Sequence, residues 1–152
     1  MLALCCGKMS SIDALKLIYL PAKVVKSAKK ISPKLRVLLV TVLTSISNAN
    51  IKKIGHTRSI KDLVRRQALL AKSCGCHGIV CAGSDTKFVK KIFKKEIIVP
   101  AIRLKGDSAG DQKRVSGPKE AFSNGATSIV IGRSVTKNNI KKNIKRLIKE
   151  LK

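Results

Sequence analysis

Aromatic side chains make up only 3% of this sequence, three Phe and one Tyr with no Trp. That leaves too few rings for the stacking platforms on which single-stranded nucleic acids are held. Acidic residues are scarce as well: eight Asp and Glu stand against 33 Lys and Arg, a formal charge of +25. Such a surplus prompts a nucleic-acid reading, because every neutralised phosphate releases counterions. Here, however, the lysines are scattered along the chain, and no zinc-finger, RRM or KH signature occurs. Lys, Ile and Asn also rise together, as in Asn138-Asn-Ile-Lys-Lys-Asn-Ile-Lys145. Codon bias in an AT-rich genome produces that pattern, so specific nucleic-acid recognition is not expected and nonspecific polyanion binding is.

Long apolar runs are missing too. No stretch reaches the ~18 residues that cross a bilayer, and the nearest, Leu15–Val25, contains Lys16, Pro21 and Lys23. The start, MLALCC, has no basic segment before its apolar residues, so no signal peptide is expected and the chain reads as cytoplasmic. Five cysteines, Cys5, Cys6, Cys74, Cys76 and Cys81, form an odd set without disulfide-scaffold spacing, which fits a reducing compartment. Cys74-x-Cys76-His77 has no fourth ligand at the usual spacing, so no metal site is expected. Cys81 falls on a predicted buried strand, where a thiol packs as a small apolar group. His56, beside a turn glycine, is expected to face solvent.

What is present is an alternation of strands and helices. Leu2–Cys6 reads as a strand remnant, and Ser10 or Ser11 caps a helix to Leu20, which Pro21 interrupts before a second stretch, Ala22–Lys30. Arg36–Thr44 is nearly continuous in branched residues, the mark of a strand covered on both faces. Ser45–Thr57 reads as a polar connection with one helical turn near Ile51. Ser59 then opens a helix to Cys74, with Asp62 in the acidic position of a capping box and Ile60, Leu63, Val64, Leu70 and Ala71 on one face, and Gly75 ends it. Gly78–Ala82 reads as a strand and Ser84–Lys94 as a capped helix with Phe88, Val89, Ile92 and Phe93 inward. Ile97–Ile102 is a strand, Pro118–Asn124 a helix closed by Gly125, and Ser128–Ile131 a strand. Asn138–Leu151 carries Ile140, Ile144, Leu147, Ile148 and Leu151 at helical spacing.

This pattern predicts an α/β fold with a parallel sheet of (β/α) repeats and right-handed crossovers. At 152 residues the chain is one domain by length, with about 68–70% of its unfolded surface buried. It is well short of the ~250 residues of a closed eight-stranded barrel. A partial TIM barrel of about four to five of the eight βα units is therefore expected. Half a barrel then folds alone, pairs with another half, or packs poorly.

Thr44, Arg103, Gln112 and Arg133 all fall at or just beyond carboxyl ends of predicted strands, where such sheets bind ligands. Gly106, Asp107, Ser108 and Gly110 make the loop after Arg103 a functional turn. Gly132 permits close approach of an anion to the backbone, and Arg133 offers a bidentate fork for its oxygens. Thr44 has an equally good plain reading, a hydroxyl satisfying a loop backbone group. Asp85-Thr-Lys87 reads as a helix-start acid followed by a solvated lysine face.

The string Pro100-Ala-Ile-Arg103, then GDSAGDQKR at 106–114 and IVIGRSVT at 129–136, resembles the C-terminal signature of the orotidine 5'-phosphate decarboxylase family. Val40-Thr-Val-Leu-Thr-Ser45 and Gly75-Cys-His-Gly-Ile-Val-Cys81 are similar to further family strands in the same order, so the likeness runs over roughly 35 to 140. It implies a TIM-type barrel that converts orotidine 5'-phosphate to UMP and carbon dioxide with no metal or organic cofactor. It puts Thr44 near the pyrimidine, Gln112 between ring and phosphate, and Arg103, Gly132 and Arg133 around the phosphate. It implies a homodimer or a complementing half-barrel as partner, and a single domain over 1–152 with a divergent part, 1–34, before the family-like part, 35–152.

The same family uses a D-x-K-x-x-D strand end whose lysine protonates the nascent carbanion. No such motif occurs here: Asp13-Ala-Leu-Lys16 has the wrong spacing, and Lys90 stands where Asp85-Thr-Lys87 would need its second carboxylate. No catalytic residue is therefore identified, and the chain is expected to begin near the fourth strand of eight. Ala101 replaces a glycine usual in the family. Three readings stay open: a decarboxylase homologue retaining the substrate-binding half, an inactive truncated remnant, and a basic polyanion-binding protein.

Overall fold

The computed structural model describes residues 2–5 and 11–152. Cys6, the Gly7-Lys8-Met9 segment and the cap expected at Ser10 lie outside the described residues. Five strands, β1 (Leu2–Cys5), β2 (Val37–Val40), β3 (Gly78–Val80), β4 (Glu96–Val99) and β5 (Ser128–Ile129), form one parallel sheet in sequential order. Parallel pairing without reversal of strand order is the arc of a barrel. A doubly wound sheet would instead change direction at a switch point.

The register explains which residues face the helices. Leu39 pairs with Ile79, and Ile79 with Ile97; all three are inaccessible to solvent and lie in the core. Around that core pack α1 (Ser11–Ile31), α2 (Asn48–Lys53), α3 (Ile60–Ser73), α4 (Gly83–Ile92) and α5 (Pro118–Ser123), through Val25, Ile51, Val64, Val89 and Ala121. The opposite sheet face carries Val40, Val80 and Ile98, which are only half-buried. Beyond β5, Val130 is 53% exposed. This is the face that a closed barrel would turn inward.

Helix starts and stops follow local chemistry. The Ser59 hydroxyl accepts the Asp62 N–H at 3.1 Å and caps α3, and Gly75 follows its end in the left-handed region at φ +71°. Pro118 opens α5 and Gly125, at φ +102°, follows it. Ile51 is buried on α2, the helical turn expected in the connection.

Several boundaries differ from the sequence reading. Helix α1 runs through Pro21 without a break. An interior proline costs about 3 kcal/mol, but Pro21, Val25 and Ala28 fall at helical spacing and are buried, and full burial of one valine returns about 1.5–3 kcal/mol. The expected strands 36–44, 97–102 and 128–131 contract to 37–40, 96–99 and 128–129. Their apolar runs continue into segments packed as irregular chain; Ile102, for instance, is fully buried yet lies outside the sheet, in an isolated parallel bridge with Ser116. Helix α4 begins at Gly83 with Ala82 as N-cap and no side-chain cap bond, not at a Ser84 cap.

Two helices complete the chain, the single turn α6 (Arg133–Thr136) and the longer α7 (Ile140–Leu151). The first was not anticipated. The second matches its expected range, but none of its residues is buried. Ile140, Ile144, Ile148 and Leu151 remain 39–55% exposed, so the stripe is real and uncovered.

Candidate anion-binding site

The loop that follows β4 is built around Arg103, a guanidinium 9% exposed. Its Nε donates to Ser108 O at 3.0 Å, Nη1 to Ile102 O at 3.0 Å and Nη2 to Ala109 O at 3.3 Å. Arg103 thus binds the carbonyls of its own loop, and the backbone N–H of Arg103 in turn reaches Ser116 O at 3.0 Å. The result is a closed turn from 102 to 116 in which Gly106 and Gly110 take positive φ, +86° and +63°.

Arg133 approaches this turn from the end of β5. Its Nη2 pairs with Asp111 Oδ1, and its Nη1 lies where a side chain at Gly110 would place a Cβ only 2.9 Å away. Only glycine leaves that space free. The Arg133 bond, more than any other contact, holds the Asp111 carboxyl below its usual range. Both partners are largely exposed, 46% and 61%, so the pair is a weak one that an incoming anion can displace.

Thr44 lies in the turn after β2, its hydroxyl donating to Gln112 Oε1. The Gln112 amide nitrogen donates to Asp111 Oδ2 at 2.7 Å. A continuous polar chain therefore runs Thr44, Gln112, Asp111, Arg133, linking the strand ends of β2, β4 and β5. The Thr44 carbonyl accepts the N–H groups of Lys113 and Arg114 at 3.0 and 3.1 Å, so Thr44 fixes the loop through its carbonyl, while its hydroxyl turns to the Gln112 side chain and not to a loop backbone group.

A cavity of about 300 Å³ opens between the turn and the C-terminal segment, lined by Arg103, Arg133, Lys137 and Arg146 with Asp107 among them. That is the lower end of ligand-pocket sizes, with cations in excess on its walls. Thr44, Gln112 and Gly132 do not line it; Gln112 reaches it through Asp111 and Arg133. The space over Gly132 is open, with nothing within 4 Å of an added Cβ.

The C-terminal helix holds the rim of this cavity by polar contacts. Arg146 Nη2 donates to Lys105 O at 2.9 Å and Asp107 Oδ1 at 2.8 Å, and Glu150 Oε1 accepts the Lys105 N–H at 2.9 Å. The Arg146 bond leads the contacts that hold the Asp107 carboxyl low. Lys105, Arg146, Glu150 and Asp111 escaped sequence reasoning, as did the pairing of Asp107, which was read only as a turn residue. The one available signal was that two of only eight acids sit in a single glycine-rich loop.

Asp85 stands in the first turn of α4, as expected of a helix-start acid, and it is buried there. It is 7% exposed and paired with Arg114 at 2.5 Å. Burial pushes its carboxyl up and Arg114 partly opposes this. Lys87 is exposed, as expected of a lysine face. His77 serves the fold: its Nδ1 accepts the Val37 N–H at 3.0 Å at the start of β2. Among the described residues no group of three or more His, Cys, Asp or Glu is placed to hold a metal ion, and no helix is long and apolar enough to cross a membrane. His56 is half-buried.

The sequence model of the orotidine 5'-phosphate decarboxylase / HUMPS family matches residues 10–147. Orotidine 5'-phosphate decarboxylase of Buchnera aphidicola subsp. Schizaphis graminum is 45% identical over 124 residues, covering 79% of this chain and 51% of that relative. The enzyme of the same name from Coxiella burnetii strain RSA 331 is 39% identical over 119 residues, 76% of this chain and 50% of the relative. The chain thus spans about half the length of the curated relatives it matches. Among solved structures, orotidine 5'-phosphate decarboxylase from Lactobacillus acidophilus superposes with a TM-score of 0.59 at 28% identity, over 76% of this chain and 49% of the other. An uncharacterized conserved protein from Geobacillus kaustophilus superposes at 0.66 and 22% identity, over 89% and 59%, a likeness of fold.

Proposed function

Because this chain belongs to the orotidine 5'-phosphate decarboxylase / HUMPS family, we propose that it is a homologue serving pyrimidine synthesis that holds the phosphate of orotidine 5'-phosphate or UMP between its strand-end loops. The observation that carries the reading is the cation-lined cavity where Arg103 and Arg133 meet. In this reading Arg133 leaves Asp111 and takes phosphate oxygens through its fork, and Gly132 allows the phosphate to approach the backbone. Arg103 keeps the 106–110 turn in shape, while Gln112 bridges phosphate and ring and Thr44 meets the pyrimidine. Residues 1–152 act as one domain, with 35–152 as the ligand-binding part.

Binding a remote phosphate supplies free energy that catalysis can use at the reacting carbon. The proton donor and carboxylates of the D-x-K-x-x-D type are absent from these 152 residues, so turnover requires those groups from outside them, on another polypeptide or on chain upstream of residue 1. The uncovered stripe of α7, the exposed Val130 and the outer edge of β5, which among the described residues pairs only with β4, favour a complementing half-barrel that continues the sheet from β5. A second copy of this chain would have to bring a further +25 to the same surface.

Two measurements test the proposal. UMP should raise the melting temperature where uridine does not, since a ligand selective for the native state stabilises it. Orotidine 5'-phosphate followed by ultraviolet absorbance should be consumed no faster than in buffer by the chain alone. A shift produced equally by any polyanion, unchanged by loss of Arg133, would favour the polyanion-binding reading instead.

A further inference from the structure

Neither Thr44 nor Gln112 is held by the strand ladder: β2 ends at Val40 and β4 at Val99, and both residues lie in irregular chain beyond. Something else must set their relative position. Arg114 contacts every segment involved. Its Nη1 pairs with Asp85 Oδ2 at 2.5 Å, and its Nη2 donates to Val42 O at 2.7 Å and Leu43 O at 3.2 Å. Its own N–H, with that of Lys113, closes on Thr44 O. Three successive carbonyls, Val42 to Leu43 to Thr44, are therefore turned toward one arginine, whose charge is neutralised by an acid on the first turn of α4. The two side chains are 14% and 10% exposed.

We infer that Arg114 is a positioning residue, a cross-brace that uses Asp85 and the 42–44 carbonyls to fix the Thr44–Gln112 pair for its ligand. This rests on the reading of that pair as part of the nucleotide site. Arg114 itself does not line the cavity, so it acts through Gln112. A planar fork is required because three acceptors lie in different directions, and a lysine ammonium is a point charge without that fixed geometry. Asp85 supplies the counter-charge without which a mostly buried guanidinium would be unpaired.

The brace makes a prediction that a purely structural ion pair does not. Arg114→Lys should weaken UMP binding about tenfold or more, in line with the sensitivity of bound ligands to small displacements of their contacts. In a Gln112→Ala background the same change should have an effect near onefold, because the group being positioned is gone. A fold-wide loss of stability would reduce affinity by the same factor in both backgrounds. Ligand-free protein supplies a second readout: hydrogen exchange at the Lys113 and Arg114 amides, which bond to Thr44 O, should accelerate while the β3 amides stay protected. Asp85→Asn, which keeps the carbonyl bonds of Arg114, should give the same pattern at smaller amplitude. Unchanged exchange at 113 and 114 in both variants, or equal losses of affinity in the two backgrounds, would overturn the inference. Failure of the parent chain to bind UMP would instead strike at the proposed function, and exchange would still decide whether Arg114 sets the loop.

Discussion

Gly83, the first residue of α4, lies against Ser116, and replacing it with alanine probes the joint between the helix layer and the ligand loop. A Cβ at position 83 would sit 2.1 Å from Ser116 Oγ and 2.5 Å from Ser116 Cβ. Ser116 is 6% exposed and its carbonyl receives the Arg103 N–H at 3.0 Å, so it has little room to yield. Overpacking of this kind costs about 1–3 kcal/mol. The gain in helix propensity from Gly to Ala is at most about 1 kcal/mol and smaller at a helix end, so the clash should win. At about 2–4 °C per kcal/mol for a chain of this size, Gly83→Ala should melt several degrees below the parent in calorimetry or urea titration. Removing the obstacle with Ser116→Gly should rescue part of that loss, with a coupling of about 1 kcal/mol or more between the two sites. Equal or higher stability of Gly83→Ala, or strictly additive effects in the double variant, would refute the packing argument.

Ala101 occupies the left-handed region at φ +60°, which costs a non-glycine residue about 1–2 kcal/mol. Ala101→Gly should be neutral to mildly stabilising in urea titrations, and a clear loss would contradict the assigned backbone. The Cys81 thiol is pushed up to about 12 by burial; it should resist iodoacetamide at pH 8 in native protein and react after denaturation, as read by peptide mass spectrometry, whereas half-exposed Cys74 reacts in both. Asp85, raised by burial, holds its proton in the folded state above the ordinary 3.8, so its contribution to stability declines as pH rises through the window above that value. Asp107, lowered by its bond to Arg146, contributes in the opposite sense and loses stability as pH falls below 3.8. Carboxyl carbon NMR should place the two midpoints on opposite sides of 3.8, and the same side for both would be inconsistent.

The fold was legible because strand cores are runs of branched residues between turn signals: Val37–Val40 and Gly78–Val80 fall inside their expected spans. The spans ran long because burial outlasts pairing. Val42, Ile102 and Leu104 are apolar for packing reasons and do not mark ladder residues. Pro21 misled for the converse reason, since a local penalty was outweighed by tertiary burial at 21, 25 and 28. Periodicity identified α7 but not what covers it, because a stripe states only that one face is apolar.

For the site, position relative to strand ends singled out Thr44, Arg103, Gln112 and Arg133, of which the structure brings Arg103 and Arg133 to one cavity. Partnership was not legible. Arg103 binding its own loop carbonyls, Arg133 resting on Asp111, and Arg114 reaching Asp85 across 29 positions depend on how irregular chain closes. No local pattern encodes that. Asp85 was legible as a helix-start acid and Asp107 as a turn residue, but not as partners of Arg114 and Arg146, for the same reason.

The most direct measurement is a crystal structure of this chain with UMP. The account predicts the phosphate inside the cavity beside Arg103 and Arg133, with the Arg133 fork turned from Asp111 to phosphate oxygens and Gln112 within hydrogen-bond distance. A phosphate bound instead at scattered surface lysines, with the Arg133–Asp111 pair intact and the cavity unfilled, would contradict it.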